Sequence, residues 1–78
     1  MWYVYLLKCS DGTIYTGCTQ DIEKRLTRHG RGEVVYTASR LPVDLIGYTA
    51  LSDKFKAYEY EKYLKSGSGI AFRNKRLI

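Results

Sequence analysis

Three short pieces decide the reading of this chain: Tyr3-Val4-Tyr5, Asp11-Gly12 and Tyr15-Thr16-Gly17. Aromatic and β-branched residues alternate on both sides of Asp11-Gly12, a dipeptide that suits the tight turn of an antiparallel hairpin. The pattern predicts strand one at residues 2–9 and strand two at residues 13–18. Tyr5 and Tyr15 then lie near each other on paired strands. On strand one, Trp2, Val4 and Leu6 face one way and Tyr3, Tyr5 and Leu7 the other. Gly17 ends strand two, where a side chain would crowd a cleft or the turn into the next element; a plain chain reversal is the simpler explanation.

A helix is predicted over residues 21–29, capped by Thr19 or Asp21, with Ile22 and Leu26 facing the core. Arg25 and His29 are four apart and share one helical face. Gly30 and Gly32 stop this helix, and residues 30–42 read as a loop. In that loop Arg31 and Arg40 either meet a substrate or are simply solvated, and Tyr36-Thr37 has no evident role. Strand three is predicted at residues 43–50, with Pro42 and Gly47 pointing to an edge position or a bulge. A second helix spans about 53–65, capped by Ser52 or Asp53, with Phe55, Ala57, Tyr58 and Leu64 on its apolar side. Ser66-Gly67-Ser68-Gly69 ends it, and residues 70–76 form a last short helix. The order β-β-α-β-α gives an α+β fold: a three-stranded antiparallel sheet flanked by helices. Neither an internal repeat nor a linker breaks residues 1–78, so one domain is expected.

A chain of 78 residues holds one modest core. Eight tyrosines fill volume while keeping a polar tip, which suits a small core beside an open cleft. No apolar run approaches the roughly 20 residues of a membrane span. Lys8 follows the apolar start, unlike a signal peptide, so a cytoplasmic protein without membrane association is expected. Cys9 and Cys18 sit near opposite ends of the hairpin strands; a disulfide is open, and two reduced thiols are the plainer reading. Two cysteines and one histidine argue against structural zinc. The net charge is +5, and the segment from Lys62 to Ile78 holds five cations and no acid. Such a segment either tracks a phosphate backbone or is a solvated face; charge alone does not decide.

The chain resembles the GIY-YIG nuclease domain along essentially its whole length. Tyr3-Val4-Tyr5 stands where that family has Gly-Ile-Tyr, and Tyr15-Thr16-Gly17 where it has Tyr-Ile-Gly. Arg25 and His29 fall at the family's helix positions, and Glu61 at its metal-binding glutamate, four residues after Ala57. The first tripeptide lacks its glycine and the second has Thr for Ile. Small, single-domain members with a Trp-Tyr-Val-Tyr start and a Glu-Lys-Tyr-Leu-Lys-Ser-Gly-Ser-Gly run are most similar.

The resemblance implies a metal-dependent endonuclease that hydrolyses DNA phosphodiester bonds, in a setting such as DNA repair or processing. Tyr5, Tyr15, Arg25, His29 and Glu61 would be its catalytic set. Glu61 would hold Mg2+ or Mn2+, since magnesium takes only one or two protein oxygens beside water and phosphate. An ordinary Glu61–Lys65 pair at i,i+4 is the competing explanation. Tyr5 is the expected general base, although a free phenol titrates near 10, and Tyr15 would position the nucleophile or the phosphate. Arg25 would grip the scissile phosphate, unless it pairs with Asp21. His29 would be a cation favoured by the helix C-terminus, a donor to phosphate, or the base in place of Tyr5. Lys65, Arg73, Asn74, Lys75 and Arg76 are the expected nucleic-acid contacts, with an exposed asparagine as the plain alternative for Asn74. Larger members add a separate DNA-binding domain. Here target choice would fall to this domain, a homodimer or a partner protein. The alternative function is a nucleic-acid binding module with the nuclease fold and little catalysis.

Overall fold

The computed structural model describes residues 1–78. Its elements are β1 (Trp2–Cys9), β2 (Ile14–Thr19), α1 (Ile22–Gly30), α2 (Val35–Ala38), β3 (Val43–Leu51), α3 (Lys54–Leu64) and α4 (Gly67–Arg76). The sheet order is β2-β1-β3 with both pairs antiparallel, so β1 is the central strand. The Asp11-Gly12 turn forms as the sequence predicts. The Asp11 carboxylate accepts from the Thr13 backbone N–H at 3.0 Å and from its hydroxyl at 2.6 Å.

Alternation along β1 sorts its side chains between two helical layers. Val4 and Leu6 join Cys18, Ala57 and Leu64 in a cluster under α3, with Trp2, Ile14, Leu51, Tyr60 and Leu77 packed around it. Tyr5 points to the other face and meets His29 of α1. Both edge expectations for β3 hold: it is an edge strand, and its register passes from Leu6 opposite Gly47 to Leu7 opposite Leu45, leaving Ile46 as the extra residue of a bulge.

Several local expectations need correction. Gly17 lies inside β2, which continues to Thr19, rather than ending it. The caps, by contrast, fall on residues the sequence offered: Asp21 caps α1 by accepting from the Lys24 N–H at 3.0 Å, and Asp53 caps α3. Within the predicted loop the chain forms α2. Ile22 and Leu26 are only half-buried; the buried residue of α1 is His29. Phe55 is 75% exposed and Tyr58 is exposed too, because the inward stripe of α3 is Ala57, Tyr60 and Leu64, spaced one helical turn apart. Ser66 does not merely end α3; its hydroxyl caps α4 through the Gly69 N–H at 3.2 Å, so the last helix starts at Gly67. A Cβ at Gly69 would overlap the Tyr63 carbonyl, so glycine here lets α4 pack directly on the end of α3. Cys9 and Cys18 are buried free thiols.

Gly17 stands opposite Tyr5 in the ladder, and a Cβ on it would overlap the Tyr5 ring. Tyr5 is 1% exposed, so its ring has nowhere to retreat. Gly17→Ala should therefore destabilise the fold by about 1–3 kcal/mol. Gly47→Ala, where a Cβ meets nothing, should stay within about 0.5 kcal/mol of the parent. Urea unfolding checks both; equal midpoints for the two variants would contradict the close approach.

Candidate active site

Tyr5 lies across Gly17, and its hydroxyl reaches 3.0 Å from His29 Nε2. The other ring nitrogen, Nδ1, is 2.7 Å from the Thr37 hydroxyl, which in turn lies 3.4 Å from the Val34 carbonyl. His29 and Thr37 are fully buried. Tyr15 closes the group, with its ring edge-on to His29 at 5.1 Å and tilted against Tyr5 at 6.2 Å. The short helix α2 exists where no helix was predicted, and it delivers Thr37 to the imidazole.

Satisfying every buried donor fixes the direction of this chain. Burial, seconded by Tyr15, pushes the Tyr5 phenol up to about 12, so it keeps its proton at neutral pH. A buried phenol must donate, and Nε2 is its hydrogen-bond partner. His29 Nδ1 then carries the imidazole proton and donates to Thr37, whose hydroxyl donates to the Val34 carbonyl. Burial and the nearby Arg25 and Arg28 guanidinium groups push the His29 pKa below 6.5, so the ring is neutral. The expected helix-terminal cation is corrected on this point: loss of solvent outweighs the helix dipole.

Arg25 of α1 and Glu61 of α3 both act on Tyr5 of the central strand. Arg25 lies beside the Tyr5 hydroxyl and favours the phenolate by hydrogen bonding and then by charge, while Glu61 opposes it. Both also act on Cys18: burial raises this thiol, Glu61 adds to the rise and Arg25 counters it. The Glu61 side chain is only 19% exposed and pairs with Lys65 at 3.2 Å, so the i,i+4 pair does form. An Arg25–Asp21 bridge does not.

Residues 1–74 match the family model described as the GIY-YIG catalytic domain. The chain belongs to the GIY-YIG family. That membership supports a nuclease-type function acting on nucleic acid. Relatives include a UPF0213 protein of Cupriavidus pinatubonensis, 41% identical, with 91% of this chain and 83% of that one covered. A UPF0213 protein of Natronomonas pharaonis is 42% identical, covering 97% and 88%. The solution NMR structure of a UPF0213 protein from Bacillus halodurans superposes with a TM-score of 0.61 at 33% identity, over 99% of this chain and 87% of that one. No helix is long and apolar enough to cross a membrane.

The first GIY-YIG tripeptide thus gives the buried phenol, and the second gives Tyr15 and the glycine beneath Tyr5. The basic residues do not form one surface. Lys65 and Arg73 line a depression with Tyr15. Asn74 sits beside Arg73, accepting from its Nε at 3.3 Å. Arg76 lies across the molecule beside Gly47 and Tyr48, and Lys75 is exposed. Sequence reasoning gave no role to Tyr36 or Thr37 and left Arg40 between substrate contact and solvation. Tyr36-Thr37 was a visible motif, but an unpredicted helix hid which way each residue faces.

The lowered His29 pKa has a defined signature in stability. The unfolded chain binds the His29 proton near pH 6.5, while the folded chain does so only at lower pH. Between these points the unfolded state holds more protons. Stability should therefore fall as pH drops through about 6.5 and level off once the folded ring is charged. The urea midpoint of the parent should fall further across this range than that of His29→Gln; parallel curves would contradict a buried neutral ring. Thr37→Val should cost about 1–3 kcal/mol by stranding Nδ1–H, and Thr37→Ser should recover most of it.

Proposed function

We propose that this chain is a metal-dependent endonuclease that hydrolyses DNA phosphodiester bonds by attack of water. The observation carrying this reading is the buried Tyr5–His29–Thr37 chain, whose phenol end is flanked by Arg25 and Glu61. Such a chain stores a proton pathway beside a cation and a carboxylate, which is what phosphodiester hydrolysis uses.

The donor set fits a hard divalent ion. Glu61 is a half-buried oxygen donor whose one ion-pair partner is Lys65. No cluster of three His, Cys, Asp or Glu residues surrounds it. Magnesium or manganese suits one carboxylate completed by water and substrate phosphate; zinc does not. When bound at Glu61, the ion would polarise the phosphate and acidify water.

The chain's own residues supply the rest. Arg25 binds a non-bridging phosphate oxygen. Tyr5 accepts the proton of the attacking water as its own proton passes to His29 Nε2. The imidazolium so formed is held by Thr37 through Nδ1–H. Neither group is a base at rest, since the phenol is neutral up to about pH 12 and His29 has a lowered pKa; the two act as one relay. Tyr15 holds the ring geometry. A nick made this way would serve DNA repair or processing.

The Glu61–Lys65 pair favours one second reading, a nucleic-acid binding module whose carboxylate is already neutralised. Cleavage of plasmid, branched and single-stranded substrates with magnesium or manganese separates the two. Glu61→Gln should reduce the rate by orders of magnitude and leave DNA affinity equal or higher. Tyr5→Phe and His29→Ala should each slow cleavage, and the double variant should be no slower than the slower single, because both remove one relay. Glu61→Gln cutting at the parental rate would leave the binding module in front. Additive losses would break the relay.

A further inference from the structure

Glu61 has a single partner. Its Oε2 accepts from the Lys65 ammonium at 3.2 Å, and the carboxylate makes no other hydrogen bond or ion pair. The two ends of this pair are unlike. The Glu61 side chain is 19% exposed, whereas that of Lys65 is 54% exposed. The charge of Glu61 reaches inward to Tyr5 and Cys18, while the ammonium approaches from water.

Lys65 is also well placed to let go. It is the C-cap of α3, and its backbone N–H donates to the Lys62 carbonyl at 3.2 Å. The next residue, Ser66, caps α4, and Gly69 packs against the Tyr63 carbonyl. The backbone of Lys65 is thus anchored at a close-packed junction, and its flexible four-carbon stem can swing. Away from Glu61 the ammonium has somewhere to go, since Lys65 lines a depression together with Tyr15 and Arg73.

Magnesium and manganese bind a carboxylate oxygen by direct contact, the position that the ammonium now holds. Two cations on one carboxylate repel each other. A tethered cation also competes at a high effective concentration. Its exposure to water keeps the pair weak enough to break.

We infer that Lys65 is the resident counter-ion of Glu61 and must leave the carboxylate before a divalent cation can bind there. The inference rests on the nuclease reading and adds how its metal is admitted. Until the exchange, Lys65 keeps a half-buried charge paired. Metal binding by the free protein is therefore weaker than the carboxylate alone would allow. An ordinary helix-stabilising pair makes a different prediction: losing Lys65 would lower the melting temperature and leave metal affinity unchanged.

The probe is Mn2+ alone, titrated into DNA-free protein and followed by the EPR signal of free Mn2+. Lys65→Met should tighten binding by about threefold to tenfold, because both competition and repulsion leave the site. Lys65→Arg keeps the charge and should bind no tighter than the parent. Lys62→Met removes an equal charge that makes no ion pair, and should change affinity far less. If Lys65→Met does not fold, Lys65→Gln takes its place. In the parent, the NMR signals of the Lys65 ε-methylene should shift as diamagnetic Mg2+ is added. Equal Mn2+ affinity in Lys65→Met and the parent, an equal gain in Lys62→Met, or a Lys65 signal indifferent to Mg2+ would overturn the exchange. Binding that Glu61→Gln abolishes but Lys65→Met leaves unchanged sinks the exchange and spares the nuclease reading. Mn2+ binding that owes nothing to Glu61 in any of these proteins sinks both.

Discussion

Tyr5 reaches His29 only because position 17 carries no side chain. The two residues face each other across the β1–β2 ladder, and the phenol occupies the space a Cβ would fill. From that close approach the rest of the site follows. The ring crosses the edge strand, its hydroxyl meets the imidazole, and the imidazole must find a second partner inside the protein. α2 supplies it as Thr37. Each link is buried, so each proton has one place to go.

This burial sets up an opposition in charge. Desolvation holds the Tyr5 phenol and the His29 ring neutral, while Arg25 pulls on the phenol's proton from one side. Glu61 restrains it from the other. A negatively charged substrate neutralising Arg25, or a cation screening Glu61, would alter this balance in opposite directions. The site is thus sensitive to the charges a nuclease assembles around a phosphate.

Much of this was legible in the sequence. Asp11-Gly12 fixed the hairpin, and the tripeptides around it placed Tyr5, Tyr15 and Gly17. The i,i+4 spacing of Arg25 and His29 put both on one helix face. What was hidden depended on tertiary contact. Four residues are too few for periodicity to announce α2, so Tyr36 and Thr37 read as loop. His29 beside Gly30 read as a helix-terminal cation, because nothing local says that Tyr5 will cover it. The Ser66-Gly67-Ser68-Gly69 run read as a terminator, since glycine's role at position 69 is contact between helices rather than chain flexibility. The basic segment read as one surface, but Arg73 borders the depression beside Tyr15 while Arg76, the last residue of α4, lies beside Gly47 and Tyr48.

His29 is the only histidine, so its imidazole nitrogens give a single pair of resonances in a long-range 1H–15N NMR spectrum. At neutral pH the ring should be neutral with the proton on Nδ1, and it should remain so as pH falls through 6.5. Tyr5→Phe should move the Nε2 resonance and Thr37→Val the Nδ1 resonance. An imidazolium at neutral pH, a proton on Nε2, or indifference to Tyr5→Phe would contradict the relay on which the proposed chemistry stands.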